Sequence, residues 1–112
     1  MPKLDLKPDH LRLLLNVLER YAPKAEVWAY GSRVHGGAHD GSDLDLVARN
    51  PANLDKPQKQ LGLLRAALSE SHLPMLVEVL DWARIPESFR REIERQHVIV
   101  CAASTTEHLA SK

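Results

Sequence analysis

Residues 26–46, EVWAYGSRVHGGAHDGSDLDL, change character twice within a short span. Glu26-Val27-Trp28-Ala29-Tyr30 is short, β-branched and aromatic, and it stops at Gly31, so it reads as a strand running into a turn. Gly31 to Ser42 holds four of the five glycines of the chain and has no apolar periodicity. It reads as a loop with room for one helical turn after Ser32. Asp43 to Ala48 alternates acid and aliphatic before Val47 and reads as a second strand, broken by Asn50-Pro51. Strand, glycine-rich loop and acidic strand, in that order, decide for an α/β protein.

Working outward, Leu11, Leu14, Leu15 and Leu18 fall at helical spacing between Pro8 and Tyr21. Pro8 suits a first helical turn, Asp9 complements the helix dipole, and Pro23 closes the segment. Downstream, Leu61, Leu64 and Leu68 predict a helix over Pro57 to Leu68, with Asp55 or Lys56 near its cap. Met75 to Leu80, entered through Pro74, predicts a third and central strand. Pro86 to Arg95 predicts a short charged helix with Phe89 and Ile93 on its apolar face, and His97 to Cys101 a fourth strand. The order α-β-β-α-β-α-β implies a mixed central β-sheet of three to four strands with helices packed on it. Residues 1–101 are expected to form a single domain and 102–112, small and polar, a disordered tail.

At 112 residues and 44% apolar composition, the chain can bury one core and no more than one domain. Fifteen basic residues balance fifteen acidic ones, which argues against a nucleic-acid partner. One cysteine, Cys101, allows no internal disulfide and fits a reducing compartment. It reads as a small buried hydrophobe. No apolar run approaches a membrane span or a signal sequence, so a soluble, cytoplasmic protein is expected.

The chemistry lies where the loop meets the acidic strand. Strand alternation puts Asp43 and Asp45 on one face and Leu44 and Leu46 on the other. Two close carboxylates repel one another unless a cation lies between them. A hard divalent ion such as Mg²⁺ accepts a few protein oxygens and takes the rest from phosphate and water. Gly31 lets the backbone approach a phosphate closely, Ser32 adds a hydroxyl, and Arg33 is placed to add a charged fork to the same phosphates. Glu78 stands among valines on the third strand, sharing a face with Leu76 and Leu80, and becomes the candidate third ligand or general base. Asp81, at that strand's end, is suited to cap the turn into Trp82.

Gly31-Ser32, then Asp43-x-Asp45, then a distant strand acid resembles the nucleotidyltransferase superfamily that includes DNA polymerase β. The stretches VWAYGSR, GSDLDL and LPMLVEVLDWARIPESFR resemble its minimal bacterial and archaeal branch, and the resemblance runs from about Asp5 to Val100. It implies a polymerase β-like fold and a Mg²⁺-dependent enzyme, with two ions in the active complex and ATP as substrate. Catalytic and metal roles fall on Asp43, Asp45 and Glu78, and nucleotide binding on Gly31, Ser32, Arg33 and Ser42. It also implies a small helical partner of the HEPN type, with this chain as antitoxin adenylylating a hydroxyl, often a tyrosine, on that partner. The third acid of the family is usually aspartate, and Glu78 departs from that. The departure keeps a second reading open, a non-catalytic module of the same fold that acts on its partner by complex formation. Transfer onto a small molecule such as an aminoglycoside is a third.

His35 and His39 lie in the glycine-rich loop with no cysteine to complete a metal site and read as facing solvent, whereas His72 and His97, at element edges, read as structural. Trp28 and Trp82 read as core anchors. The mixed-sign run Arg90 to Arg95 reads as a solvated face with i,i+4 pairs.

Overall fold

The computed structural model describes residues 3–39 and 41–103. The tail expected at 102–112 therefore lies almost wholly outside the described residues. Four strands form one sheet in the order β3-β2-β1-β4, with β1 at Glu26–Tyr30, β2 at Leu44–Arg49, β3 at Val77–Asp81 and β4 at Val98–Cys101. β1 runs antiparallel to both β2 and β4, whereas β2 and β3 are parallel and joined through a helix. The helices are α1 (Pro8–Tyr21), the single turn α2 (Ser32–His35), α3 (Leu61–Ser69) and α4 (Glu87–Arg95). A 3₁₀ turn, Trp82–Arg84, links β3 towards α4. The result is the mixed α/β sheet that the residue patterns call for.

Alternation along β2 divides the molecule. Leu44, Leu46 and Ala48 point to one face, where they pack with Val27, Ala29 and Val79 beneath Leu14 and Leu18 of α1 and Leu64 and Leu68 of α3. All of these are buried. On the other face Trp28 and Val47 pack with Trp82 and with Ile93 of α4. The two tryptophans meet edge to face at 5.4 Å, and the Arg49 guanidinium lies 3.9 Å from the Trp28 ring centre and 4.6 Å from that of Trp82. Both rings are thus core anchors. His97 stacks on the far side of the cluster, 3.8 Å from Trp28, and its Nδ1 donates to the Ile93 and Glu94 carbonyls at the end of α4. Cys101 is half-buried against the helical core, and desolvation pushes its thiol pKa up.

Three expectations need correction. α3 starts at Leu61 and not at Pro57: the Gln58 amide donates to the Asp81 carboxylate at 3.0 Å, and the backbone leaves the helical region at Gln60, with φ −121° and ψ 33°. β3 is an edge strand, not a central one: its free side is met by Arg65 of α3, whose guanidinium donates twice to the Val79 carbonyl. The charged face of α4 is also less solvated than its composition suggests. Arg91 pairs with Glu87 as an i,i+4 neighbour, but Arg90 turns inward, donates to the Trp82 carbonyl at 2.9 Å and covers the Trp82 ring. Asp81 does cap the 3₁₀ turn, accepting from the Ala83 amide. Among the described residues no helix is long and apolar enough to cross a membrane.

Candidate active site

β1 ends at Tyr30 opposite Asp45 of β2, and Asp45 in turn lies opposite Glu78 of β3. Residues paired across strands share a face. Tyr30, Asp45 and Glu78 therefore form one row on the face away from α1 and α3, with Asp43 just before β2 begins. The electrostatics agree with that placement. Asp45 has its carboxyl pKa raised, by burial first, then by Glu78 and then by Asp43. The Tyr30 hydroxyl is also pushed up, by burial, then by Asp45 and Glu78. The acids feel one another, yet among the described residues no three His, Cys, Asp or Glu side chains close into a ready metal cluster. An ion here would complete its shell with phosphate or water.

Gly31 connects this row to the loop. Its φ of 83° and ψ of −157° lie in a region that side-chain-bearing residues avoid. A Cβ added there would collide with the Asp45 carboxylate oxygen Oδ2. Backbone and carboxylate thus meet across a gap that only glycine leaves open. The Val34 and His35 amides bond back to the Gly31 carbonyl at 3.0 and 3.1 Å, which leaves Ser32 as the first residue of the α2 turn.

Arg33 does not stand where the residue pattern put it. It is 6% exposed, and its guanidinium donates to the Ser42 carbonyl through Nε and Nη2 and to the Asp5 carbonyl through Nη1, at 2.9–3.0 Å. The Asp5 amide returns a bond to the Arg33 carbonyl at 2.7 Å. The planar fork is engaged in holding the loop shut. Ser42 shares that duty, its hydroxyl accepting from the His39 amide. His39 is exposed, as a loop histidine is expected to be, and its ring nitrogen accepts from the Gly41 amide. Arg33→Met is accordingly expected to cost about 2–3 kcal/mol in denaturant unfolding, and Arg33→Lys to recover little, because a point charge cannot bridge Asp5 and Ser42. An unchanged unfolding midpoint with a raised KM for nucleotide would return Arg33 to the phosphates.

Residue patterns passed over two participants. Tyr30 was visible only as a strand residue, although alternation already placed it opposite the face that Ala29 buries. The Leu4–Leu6 segment, tied to α2 through Asp5, is too short to carry a periodic signal.

The family described as "Polymerase beta, Nucleotidyltransferase" matches residues 14–106. The chain belongs to this nucleotidyltransferase family. A similar relative of the nucleotidyltransferase is the "Probable protein adenylyltransferase MntA" of Haemophilus influenzae, 40% identical over 98 residues, which are 88% of this chain and 84% of that protein. A solved structure described as a toxin–antitoxin with AMP-PNP shares the nucleotidyltransferase fold. It has a TM-score of 0.66 at 17% identity and covers 88% of this chain and 78% of its own.

Proposed function

We propose that this nucleotidyltransferase moves AMP from ATP onto a hydroxyl of a partner protein in the cytoplasm, in a Mg²⁺-dependent reaction. The observation that carries the reading is the contact of Gly31 with Asp45 in a row that also holds Glu78. The name of the Haemophilus relative, a probable protein adenylyltransferase, supports a protein acceptor. The toxin–antitoxin neighbour supports a partner pair, and we assign the partner to the small helical HEPN type, with this chain as antitoxin.

Metal chemistry fits the residues present. A carboxyl whose pKa is raised by burial and by two neighbouring acids is relieved by a cation. Asp43 and Asp45 are the ligands, with Glu78 as third. When bound, Mg²⁺ supplies charge neutralisation on the triphosphate and on departing pyrophosphate. The chain's own part is positioning. Ser32 holds the phosphate end with its hydroxyl, and Asp45 fixes the depth at which the nucleotide sits against Gly31. Glu78, exposed on the edge strand, takes the proton of the attacking hydroxyl. An edge position suits that task, since the acceptor must arrive from outside.

Labelling of the partner from ATP carrying label in its α-phosphate, with Mg²⁺ and the product of the neighbouring gene, tests the reading. Glu78→Gln is expected to lose ~100-fold in transfer with nucleotide binding largely kept, and Glu78→Asp to preserve or raise it. A silent Glu78→Gln removes Glu78 from the chemistry. A stable complex with an unlabelled partner, and label appearing only with Glu78→Asp, would instead favour the binding-module reading.

A further inference from the structure

The end of the sheet opposite the acid row carries a second concavity, of about 400 Å³. It is built from three separate stretches that the fold brings together: Lys24 in the turn after α1, Asn50 at the exit of β2, and Lys56, Gln58, Lys59 and Gln60 on the approach to α3. Among the described residues no carboxylate lines it. In a chain with fifteen acids and fifteen bases, that is a local segregation of charge.

The acids nearest in sequence face other cations. Glu26 pairs with Arg49 at 2.9 Å, and Asp55 reaches towards Arg90 at 3.8 Å. Asp81 is buried and engaged by the Gln58 and Ala83 amides and by Arg84. Lys56 and Lys59 make no ion pair with any described residue. Gln58 also lines the cleft, and its Nε2 is a buried donor with no hydrogen-bond partner among the described residues, which a ligand would reach only if the side chain turned outward. Lys56 and Lys59 thus bring positive charge to the cleft with no described carboxylate to answer it, an arrangement that attracts an anion.

We propose that this cleft is a second anion site, for a small phosphate-bearing ligand other than the reacting nucleotide. The volume suits a small molecule. A nucleic-acid strand would call for a longer track of cations and a positive chain, and this chain is neutral. Lysines bind phosphate as point charges and ask for no fixed fork geometry. The length of β1 separates the cleft from Asp45 by about 15 Å, so a ligand held there lies out of reach of the transfer chemistry.

Inorganic tripolyphosphate is the probe, titrated into the full chain with a chelator present and ~0.15 M salt to screen loose surface contacts. The readout is amide NMR shifts. Shifts should centre on Lys24, Lys56, Lys59 and Gln60, and the double variant Lys56→Gln/Lys59→Gln should weaken binding at least ~10-fold while its amide spectrum elsewhere stays that of the parent. Shifts confined to Gly31–Ser42, a double variant that binds as well as the parent, or no shifts at all would each overturn the proposal. So would a single-stranded RNA decamer that binds through the same lysines ~10-fold more tightly than tripolyphosphate, since the ligand would then be a nucleic acid. None of these outcomes depends on the identity of the acceptor protein.

Discussion

Asp45→Asn is expected to lower nucleotidyl transfer by ~100-fold or more, a barrier increase of about 2.7 kcal/mol, while raising the melting temperature of the metal-free protein. The two effects have one cause. Burial, Glu78 and Asp43 hold the Asp45 carboxyl above its ordinary range. For a carboxyl raised on folding, the stabilising contribution is complete below the ordinary carboxylate range. It is lost as pH climbs through the shifted value. At neutral pH the ionised side chain therefore works against the fold, and the neutral amide removes that penalty while keeping the shape. A cation relieves the same repulsion, so Mg²⁺ with ATP should raise the melting temperature of the parent and leave Asp45→Asn nearly unmoved. Thermal melts with and without Mg²⁺-ATP, beside a transfer assay, check both halves. A variant that stays fully active would remove Asp45 from the site. Asp43→Asn should lose activity to a similar degree.

Gly31→Ala should also cost about 100-fold in transfer, but with stability moving the other way. The added methyl would meet the Asp45 carboxylate, and the backbone at φ 83° and ψ −157° accepts side chains only with strain. Strain of that kind costs roughly 1–3 kcal/mol. Either the loop shifts or Asp45 turns away, and both misplace the carboxylate relative to the phosphate position proposed at Ser32. Ser32→Ala makes the contrast, because it deletes a hydroxyl without moving the backbone, and its loss should be moderate. Rates and melting temperatures for the three variants separate the contributions. Equal and small losses for Gly31→Ala and Ser32→Ala would mean an ordinary turn.

Local pattern reached far in this chain. The helix from Pro8 to Tyr21, the strand from Glu26 to Tyr30 and the helical turn after Ser32 all lie where spacing and punctuation place them. The facing of Leu44 and Leu46 away from Asp45 follows from strand alternation alone, and so does the sharing of a face by Glu78 and Leu80. What failed was non-local. The order of strands is not written in any one of them, so Glu78 could not be known to stand on an edge. Pro57 to Gln60 continue a helical spacing, but Asp81, far along the chain, captures the Gln58 amide. Arg33 beside Gly31-Ser32 suggests phosphate by adjacency, whereas the carbonyls of Asp5 and Ser42 claim it only once the loop has closed. Side-chain type told what could bind, and chain closure told what was already taken.

The pairing of β4 with β1 sets Trp28 opposite Ile99 across nearly the whole sequence. Contacts so distant along a chain form slowly. During synthesis β1 can pair with β2 soon after the glycine-rich loop has emerged, while its other edge waits for Val98–Cys101. The strand that presents Gly31 is thus among the first made and the last to be flanked on both sides. Until then its unpaired amides and carbonyls form a template for stray strands.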